Sequence, residues 1–165
     1  MSAAELYYSS DLVHPIDIVE VLAEQRDWAF DRLDDDQIVM VVEGQWRSYS
    51  LSLALSDTML RLICTFEMDP PEGKMPPLYE TVSRANDMVW SGAFSFWESQ
   101  RLMVWRYGLI LAEDQPAGID QIERMIRAAI MAAERFYPAF QLVAWADHTP
   151  AAALDIALAE AVGRA

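Results

Sequence analysis

The sequence predicts an α+β fold in which helices pack on a mainly antiparallel sheet, and three observations lead to this prediction. Hydrophobic residues make up 53% of the 165 residues, which is enough to bury one sizeable core. Segments with apolar residues at every second position are interleaved with segments that have them at helical spacing. Short polar turns join neighbouring strand-like segments, which favours antiparallel pairing. The expected order is α-β-β-β(-β)-α-β-β-α plus a C-terminal helix.

The first half of the chain is predicted to form one helix followed by a run of strands. Pro15 suits a first helical turn, and the apolar spacing after it extends the helix to about Arg26. The polar turn at residues 34–36 separates two period-two segments, which form either two strands or one irregular element. The strand-like segments of this half are residues 28–33, 38–43, 45–55 and 58–68.

The second half is predicted to form a helix, a hairpin and two further helices. Residues 69–77 contain four prolines and are expected to form a loop, because proline fixes φ and removes a backbone donor. Pro138 lies within a long apolar stripe that begins at Ile119, so it should kink or divide that helix. The other elements are a helix from 78 to about 90, strands at 93–97 and 102–111, and a terminal helix at 150–163. The prediction is a single domain, 1–165, with its core at about 15–147 and a C-terminal helical tail.

The strand at 58–68 is apolar on both of its faces. Leu62 and Phe66 lie on one face, while Met59 and Ile63 lie on the other. Such a strand is expected to be central and to be covered on both sides. The residues predicted to share one core are Leu60, Leu62, Phe66, Val104, Ile126 and Phe140.

Charge and composition limit the kinds of partner that the chain can bind. Twelve basic and 26 acidic residues give a net charge of −14, which disfavours nucleic acid and anionic lipid. Met1 to Asp11 lack the positive region of a signal peptide, and no apolar run approaches the roughly 20 residues that span a bilayer. The lone Cys64 cannot form an internal disulfide, which fits a reducing compartment. We therefore expect a cytoplasmic protein that binds neither nucleic acid nor membrane.

The residues that could carry chemistry do not form a recognisable catalytic, cofactor or metal site. Cys64 alternates in phase with apolar core positions, and the two histidines lie far apart without zinc-site spacing. Neither phosphate-binding glycine motif is present, nor is the nucleophile elbow of hydrolases. A weak cation site beside the proline-rich loop stays open as an alternative, with Glu67, Asp69 and Glu72 as its ligands. We expect no cofactor.

Four segments together resemble the YbjN family of bacterial proteins, over about residues 15–147. These segments are Val82–Asn86, Gly92–Trp97, the apolar strand Leu102–Leu111, and Glu134–Phe140 with its Phe-Tyr-Pro-Ala-Phe sequence. The resemblance implies a fold like that of type III secretion chaperones. It also implies an interaction protein of the kind described as a sensory transduction regulator, and it carries over no catalytic residue.

The function predicted from these observations is that of a non-enzymatic protein-binding module, either chaperone-like or a regulatory adaptor. Aromatic residues favour protein interfaces, and the possible interaction surface consists of Trp46, Tyr49, Trp97, Trp105 and Tyr107. One alternative is a small-ligand sensor with an apolar pocket between the sheet and the long helix. Another alternative is an enzyme that uses scattered carboxylates, with Glu43, Glu67 and Glu98 as candidates.

The apolar outer face of the sheet leads to a prediction of self-association. One layer of helices covers only one face of a sheet, so another element must cover the second face. The candidates are residues 6–13, the helix 78–90, the terminal helix and a second copy of the chain. Two-fold homodimers are the commonest oligomers, and the secretion chaperones that the family resembles are dimeric. We therefore expect a homodimer in addition to a protein partner of unknown identity.

Overall fold

The computed structural model describes residues 13–113 and 115–162, with the backbone alone for residues 160–162. Within these ranges the chain forms four helices and six strands in the predicted order. The helices are α1 (Pro15–Gln25), α2 (Met75–Asn86), α3 (Ile119–Trp145) and α4 (Pro150–Val162). The strands are β1 (Ala29–Asp34), β2 (Gln37–Glu43), β3 (Ser48–Ser56), β4 (Met59–Glu67), β5 (Ala93–Trp97) and β6 (Leu102–Ile110). The α+β prediction is confirmed, and the region before β3 forms two strands.

All six strands belong to one antiparallel sheet in the order β1-β2-β3-β4-β6-β5. β4 is central, because Cys64 lies opposite Leu51 of β3 on one side and opposite Trp105 of β6 on the other. Each neighbouring pair is a hairpin or a short connection except β4 and β6, between which α2 and the edge strand β5 are inserted.

The described helices pack on one face of the sheet. α1 contacts β1, β2 and β3, whereas α3 lies over β4 and β6. α2 packs beside the edge strand β5, and α4 contacts the outer sides of α2 and α3. The C-terminal helix therefore docks on the helices of its own chain. The largest fully buried side chains include Trp105, Tyr49, Phe136 and Phe140.

The opposite face of the sheet has no helix on it in the described part of the chain. No described helix provides the predicted cover for this face of β4, where Met59 is 37% exposed, so cover by residues 6–13 or by a second copy of the chain stays a prediction. The core prediction is correct for Leu60, Leu62, Phe66, Ile126 and Phe140 and wrong for Val104. Val104 lies opposite Thr65 and Ser95 on the uncovered face, although its own side chain is buried. β6 is apolar on both faces, so alternation alone does not show which face turns inward, and the larger Met103 and Trp105 occupy the core.

Proline positions explain two differences at helix boundaries. α2 begins at Met75, three residues earlier than predicted, because Pro76 and Pro77 fall in the first turn, where an N–H group has no helical acceptor. It ends at Asn86, so that residues 87–92 form a loop where the sequence predicted one more helical turn. α3 continues for 27 residues through Pro138 and is not divided there. No helix among the described residues is long and apolar enough to cross a membrane.

Candidate functional site

An apolar groove of about 520 Å³ lies beside α3, and we call it the Trp90 groove. Its walls come from the β2–β3 turn, the α2–β5 loop, one side of α3 and one residue of α4. The apolar side chains that line it are Trp46, Met88, Val89, Trp90, Ala128, Met131, Ala132, Phe136, Pro138 and Ala157. Trp90 is fully exposed and Met131 is 64% exposed, so two large apolar side chains face water at this place.

The α2–β5 loop that carries Met88 and Trp90 is fixed at both ends. Before the loop, the Asn86 side chain donates from Nδ2 to the Phe94 carbonyl at 3.0 Å and accepts from the Phe94 N–H at 2.7 Å. After the loop, Gly92 has a φ of +73°, and a Cβ atom at this position would collide with the Trp105 ring. The loop is thus held between the end of α2 and the edge strand, with the Trp90 side chain directed outward.

The β2–β3 turn that carries Trp46 is held against α3 by Glu134. The Gln45 N–H donates to Glu134 Oε2 at 3.0 Å. Gly44 permits this contact, because a Cβ atom there would collide with Glu134 Oε1 and with the Tyr49 ring. Burial and, after it, the neighbouring Glu134 carboxylate raise the pKa of Tyr49 far above its ordinary value. Tyr49 therefore remains a neutral phenol inside the fold, and the turn is held by the hydrogen bond from the Gln45 N–H to Glu134.

A second, smaller groove continues the first one along α3. Its volume is about 240 Å³, and it shares Ser91 and Ala128 with the Trp90 groove. Its remaining lining residues are Tyr107, Leu109, Gln121, Arg124 and Met125. One arginine lines each groove: Arg124 lines the smaller groove and Arg135 lines the larger one. The combined surface is an apolar trough with basic groups on its α3 side.

The structure does not bring the five predicted aromatic residues together on one surface. Trp46 lines the Trp90 groove, and Tyr107 lines the smaller groove, where its ring stacks on Trp105 with centroids 5.9 Å apart. Tyr49 and Trp105 are buried in the core, while Trp97 belongs to the uncovered face of the sheet. Alternation placed Tyr49 and Trp105 on strands but could not show which face the helices cover.

Sequence reasoning missed Met88, Trp90 and Met131, the most exposed apolar residues of the groove. Val89 continues the apolar spacing of α2, and for this reason the helix was predicted to extend to Trp90. The signal that could have placed the helix end earlier is Asn86, because asparagine prefers caps and turns to helix interiors. Met131 lies on α3 outside the stripe that faces the core, where a polar residue would be expected.

The residues considered for catalysis or metal binding lie apart from one another, are buried, or already contact other groups. Cys64 is buried, and burial raises the pKa of its thiol to about 12, which leaves it protonated and unreactive. His14 caps α1 by accepting from the Ile16 N–H at 3.2 Å. Asp69, one of the proposed cation ligands, pairs with Arg101 at 2.8 Å. Within the described ranges, no group of three His, Cys, Asp or Glu residues could hold a metal ion.

The three candidate carboxylates of the enzyme alternative do not line either groove. Glu43 accepts from the Ser48 hydroxyl at 2.7 Å, and Glu98 accepts from the Tyr79 hydroxyl at 3.1 Å. Glu67 lies two strands from Glu43 in the sheet, which is about 10 Å at the usual strand spacing. These exposed carboxylates do not converge on a cleft in the part of the chain that the structure describes.

The fold and the trough define a class of protein: an α+β domain with helices on one face of an antiparallel sheet and an exposed apolar groove beside the longest helix. The chain belongs to the YbjN family, described as "Putative bacterial sensory transduction regulator", whose family model matches residues 15–142. Among solved structures, the chain is similar in fold to one titled "Crystal structure of YbjN, a putative transcription regulator from E. coli". The identity is 13%, the TM-score is 0.53, and the similarity covers 83% of this chain and 95% of that chain. No curated protein matches the chain.

Proposed function

We propose that this protein is a non-enzymatic regulatory module that binds another protein at the Trp90 groove, as an adaptor or in a chaperone-like manner. The observation that carries the proposal is the fully exposed Trp90 on a loop that is fixed at both ends, in a groove that Met88 of the same loop and Met131 of α3 also line. Tryptophan and methionine are enriched at protein interfaces, and exposed apolar patches of this kind are typical of interaction sites. The family description as a regulator supports the same class of function.

The energetics of the groove favour a partner over permanent exposure to water. A tryptophan side chain buries about 150 to 250 Å² when it is covered, which corresponds to about 4 to 6 kcal/mol before the cost of association. Asn86 and Glu134 already fix the loop and the turn, so binding of a partner would cost little further conformational entropy in these two segments. Trp90 is therefore expected to be an energetic centre of the interface.

A comparative affinity capture tests the proposal with two charge variants. Met131→Glu places a charge in the groove, and Val41→Glu places the same charge on the uncovered sheet face, where Val41 is 42% exposed. We expect proteins captured from native lysate by the wild type and by Val41→Glu to be lost from Met131→Glu, as measured by quantitative mass spectrometry. Equal recovery with all three baits, or recovery no higher than with empty beads, would contradict binding at the groove.

A small apolar ligand is the second candidate for this site. The groove volume of about 520 Å³ lies within the range of about 300 to 1,000 Å³ that is usual for small-molecule sites. Its open wall at Trp90 and Met131 favours a protein over a small molecule, because ligand sites usually bury most of the ligand. Native mass spectrometry of the protein purified from its host distinguishes the two, since a retained small molecule would add a defined mass.

We also propose that the protein acts in the cytoplasm as a homodimer that pairs through the uncovered face of the sheet. Large apolar side chains on this face are exposed, among them Val41, Met59 and Ile110. The face also carries Arg61 and Arg106 together with the acidic Asp31 near one edge, so two copies related by a two-fold axis could pair opposite charges. The terminal helix and α2 are engaged elsewhere, which leaves a second copy or residues 6–12, which lie outside the described residues.

Light scattering coupled to size exclusion tests the dimer. We expect a mass near twice 18.7 kDa for the wild type and for Met131→Glu, and a mass near 18.7 kDa for Val41→Glu. The Met131 variant is the control, because it adds the same charge on the helix side of the molecule. A wild-type mass near 18.7 kDa at micromolar concentration would contradict the dimer.

A further inference from the structure

We propose that the partner of the Trp90 groove is a protein segment that binds as an amphipathic helix with acidic flanks. This inference rests on the proposed function and adds the secondary structure and the charge of the partner. Its support is the shape of the trough and the placement of the arginines on α3.

The two grooves together have the length of a helix. They share Ser91 and Ala128, and along α3 their lining extends from Gln121 to Pro138. This stretch of about 18 residues is about 27 Å long, which matches an α-helix of five turns. The trough is lined by side chains of α3, the α2–β5 loop, the β2–β3 turn, β6 and α4, and β6 is not an edge strand. Side-chain packing of a helix into a groove fits such a surface better than strand addition does.

Two basic groups of α3 line this trough, Arg124 in the smaller groove and Arg135 in the larger one. Arg124, Arg127 and Arg135 are exposed, and their spacing with Met131 is three, four and four residues. Residues at this spacing form one stripe along a helix. An incoming helix that packs its apolar face on Met131 therefore brings its flanking residues next to the arginines.

Among the described residues, Arg124 and Arg135 form no ion pair, although acidic residues are in large excess in this chain. The net charge is −14, yet no carboxylate lies within 4.0 Å of Arg124 or Arg135 in the described ranges, in contrast to Arg26, Arg32, Lys74, Arg84 and Arg101, which all form ion pairs. Arg127 makes only a 3.6 Å contact with Glu123, a residue that also pairs with Arg26. Arg124 and Arg135 are thus available to carboxylates of a partner.

The carboxylate in the groove lining does not oppose this arrangement. Glu134 directs Oε2 to the Gln45 N–H, and its Oε1 is shielded from solvent beside Tyr49 and Gly44. Its charge therefore lies beneath the β2–β3 turn. The charges that reach the solvent along α3 beside Met131 are those of Arg127 and Arg135, which attract acidic residues and repel basic ones.

Fluorescence anisotropy with two synthetic peptides tests the inference on the full chain. Both peptides have about 18 residues and the same leucine stripe at helical spacing, and their polar positions carry either Glu and Gln or Lys and Gln. The variants are Met131→Glu, the double variant Arg124→Glu with Arg135→Glu, and the control double variant Lys74→Glu with Arg84→Glu. The control changes the net charge by the same amount at the start and near the end of α2, at positions that line neither groove, and circular dichroism confirms that each variant is folded.

We expect the wild type to bind the acidic peptide about ten-fold more tightly than the basic one at about 0.15 M salt, because a Debye length of about 8 Å screens most of the net charge there and two to three exposed ion pairs set the difference. Arg124→Glu with Arg135→Glu should abolish this preference, Met131→Glu should weaken both peptides, and the control double variant should keep the preference. Tighter binding of the basic peptide, or an equal loss of the preference for the acidic peptide in the control variant, would contradict an acidic partner. Either result would leave the proposed function unaffected. Binding of neither peptide would overturn the helical site, and the proposed function would then be decided by the affinity capture alone.

Discussion

At the scale of single residues, the trough depends on small and polar residues that fix its two aromatic walls. Asn86 and Gly92 hold the loop that carries Trp90, and Gly44 with Glu134 holds the turn that carries Trp46. The sequence does not show these pairings, because Glu134 and Gln45 are 89 residues apart and neither belongs to a sequence motif. In contrast, the burial of Cys64 is evident from its phase with Leu60, Leu62 and Phe66.

Cys64 gives a prediction at this scale. Burial raises the thiol pKa to about 12 from an ordinary value of 9.0, so the folded state favours the protonated thiol. The corresponding stabilisation is complete below pH 9 and is lost as the pH rises toward 12, because the unfolded thiol ionises first. We expect a thiol reagent to modify Cys64 at pH 8 only in denaturant, and Cys64→Ser to retain partner binding apart from a loss of stability. Rapid modification of the native protein would show that Cys64 is accessible.

At the scale of secondary-structure elements, hydrophobic spacing predicts the type and order of every described helix and strand. Hydrophobic spacing does not predict which face of a strand turns inward when both faces are apolar, or where a helix ends when the apolar spacing continues beyond it. Val104 and Met103 are both apolar, so the inward face of β6 is decided by packing and not by alternation. The end of α2 is set by the hydrogen bonds of Asn86 to β5, although the apolar spacing continues to Val89. The residues of the candidate site lie in this region beyond the helix end.

The connection between α2 and β5 can be tested through Asn86. Asn86→Ala removes one donor and one acceptor to Phe94, so the backbone of the edge strand loses two bonds. We expect the free energy of unfolding to fall by about 1 to 3 kcal/mol, measured by denaturant titration. Ser83→Ala is the control, since Ser83 is exposed on the same helix and should change stability by less than about 0.5 kcal/mol. Equal effects of the two substitutions would show that Asn86 does not fix the loop.

At the scale of the whole molecule, the fold has two apolar surfaces on opposite sides of the sheet. Helices cover one face of the sheet, and the trough runs along α3 on that side of the molecule. The other face presents Val41, Met59 and Ile110 to solvent. Composition and charge predicted an interaction protein and disfavoured nucleic acid, but no sequence pattern shows which exposed residues share a surface. The trough combines residues from five separate parts of the chain, and their proximity follows from the tertiary structure alone.

Photo-crosslinking from position 90 in native host cells tests the central claim most directly, which is that another protein binds at the Trp90 groove. A photoreactive phenylalanine analogue replaces Trp90 in one variant and Glu72 in the control. Glu72 is an exposed loop residue before the start of α2, whereas Trp90 follows its end, and the 12 residues of α2 between them span about 18 Å. We expect irradiation to give a discrete protein adduct from position 90 and none from position 72. Absence of any adduct from position 90, or the same adduct from both positions, would contradict a protein-binding site at this groove.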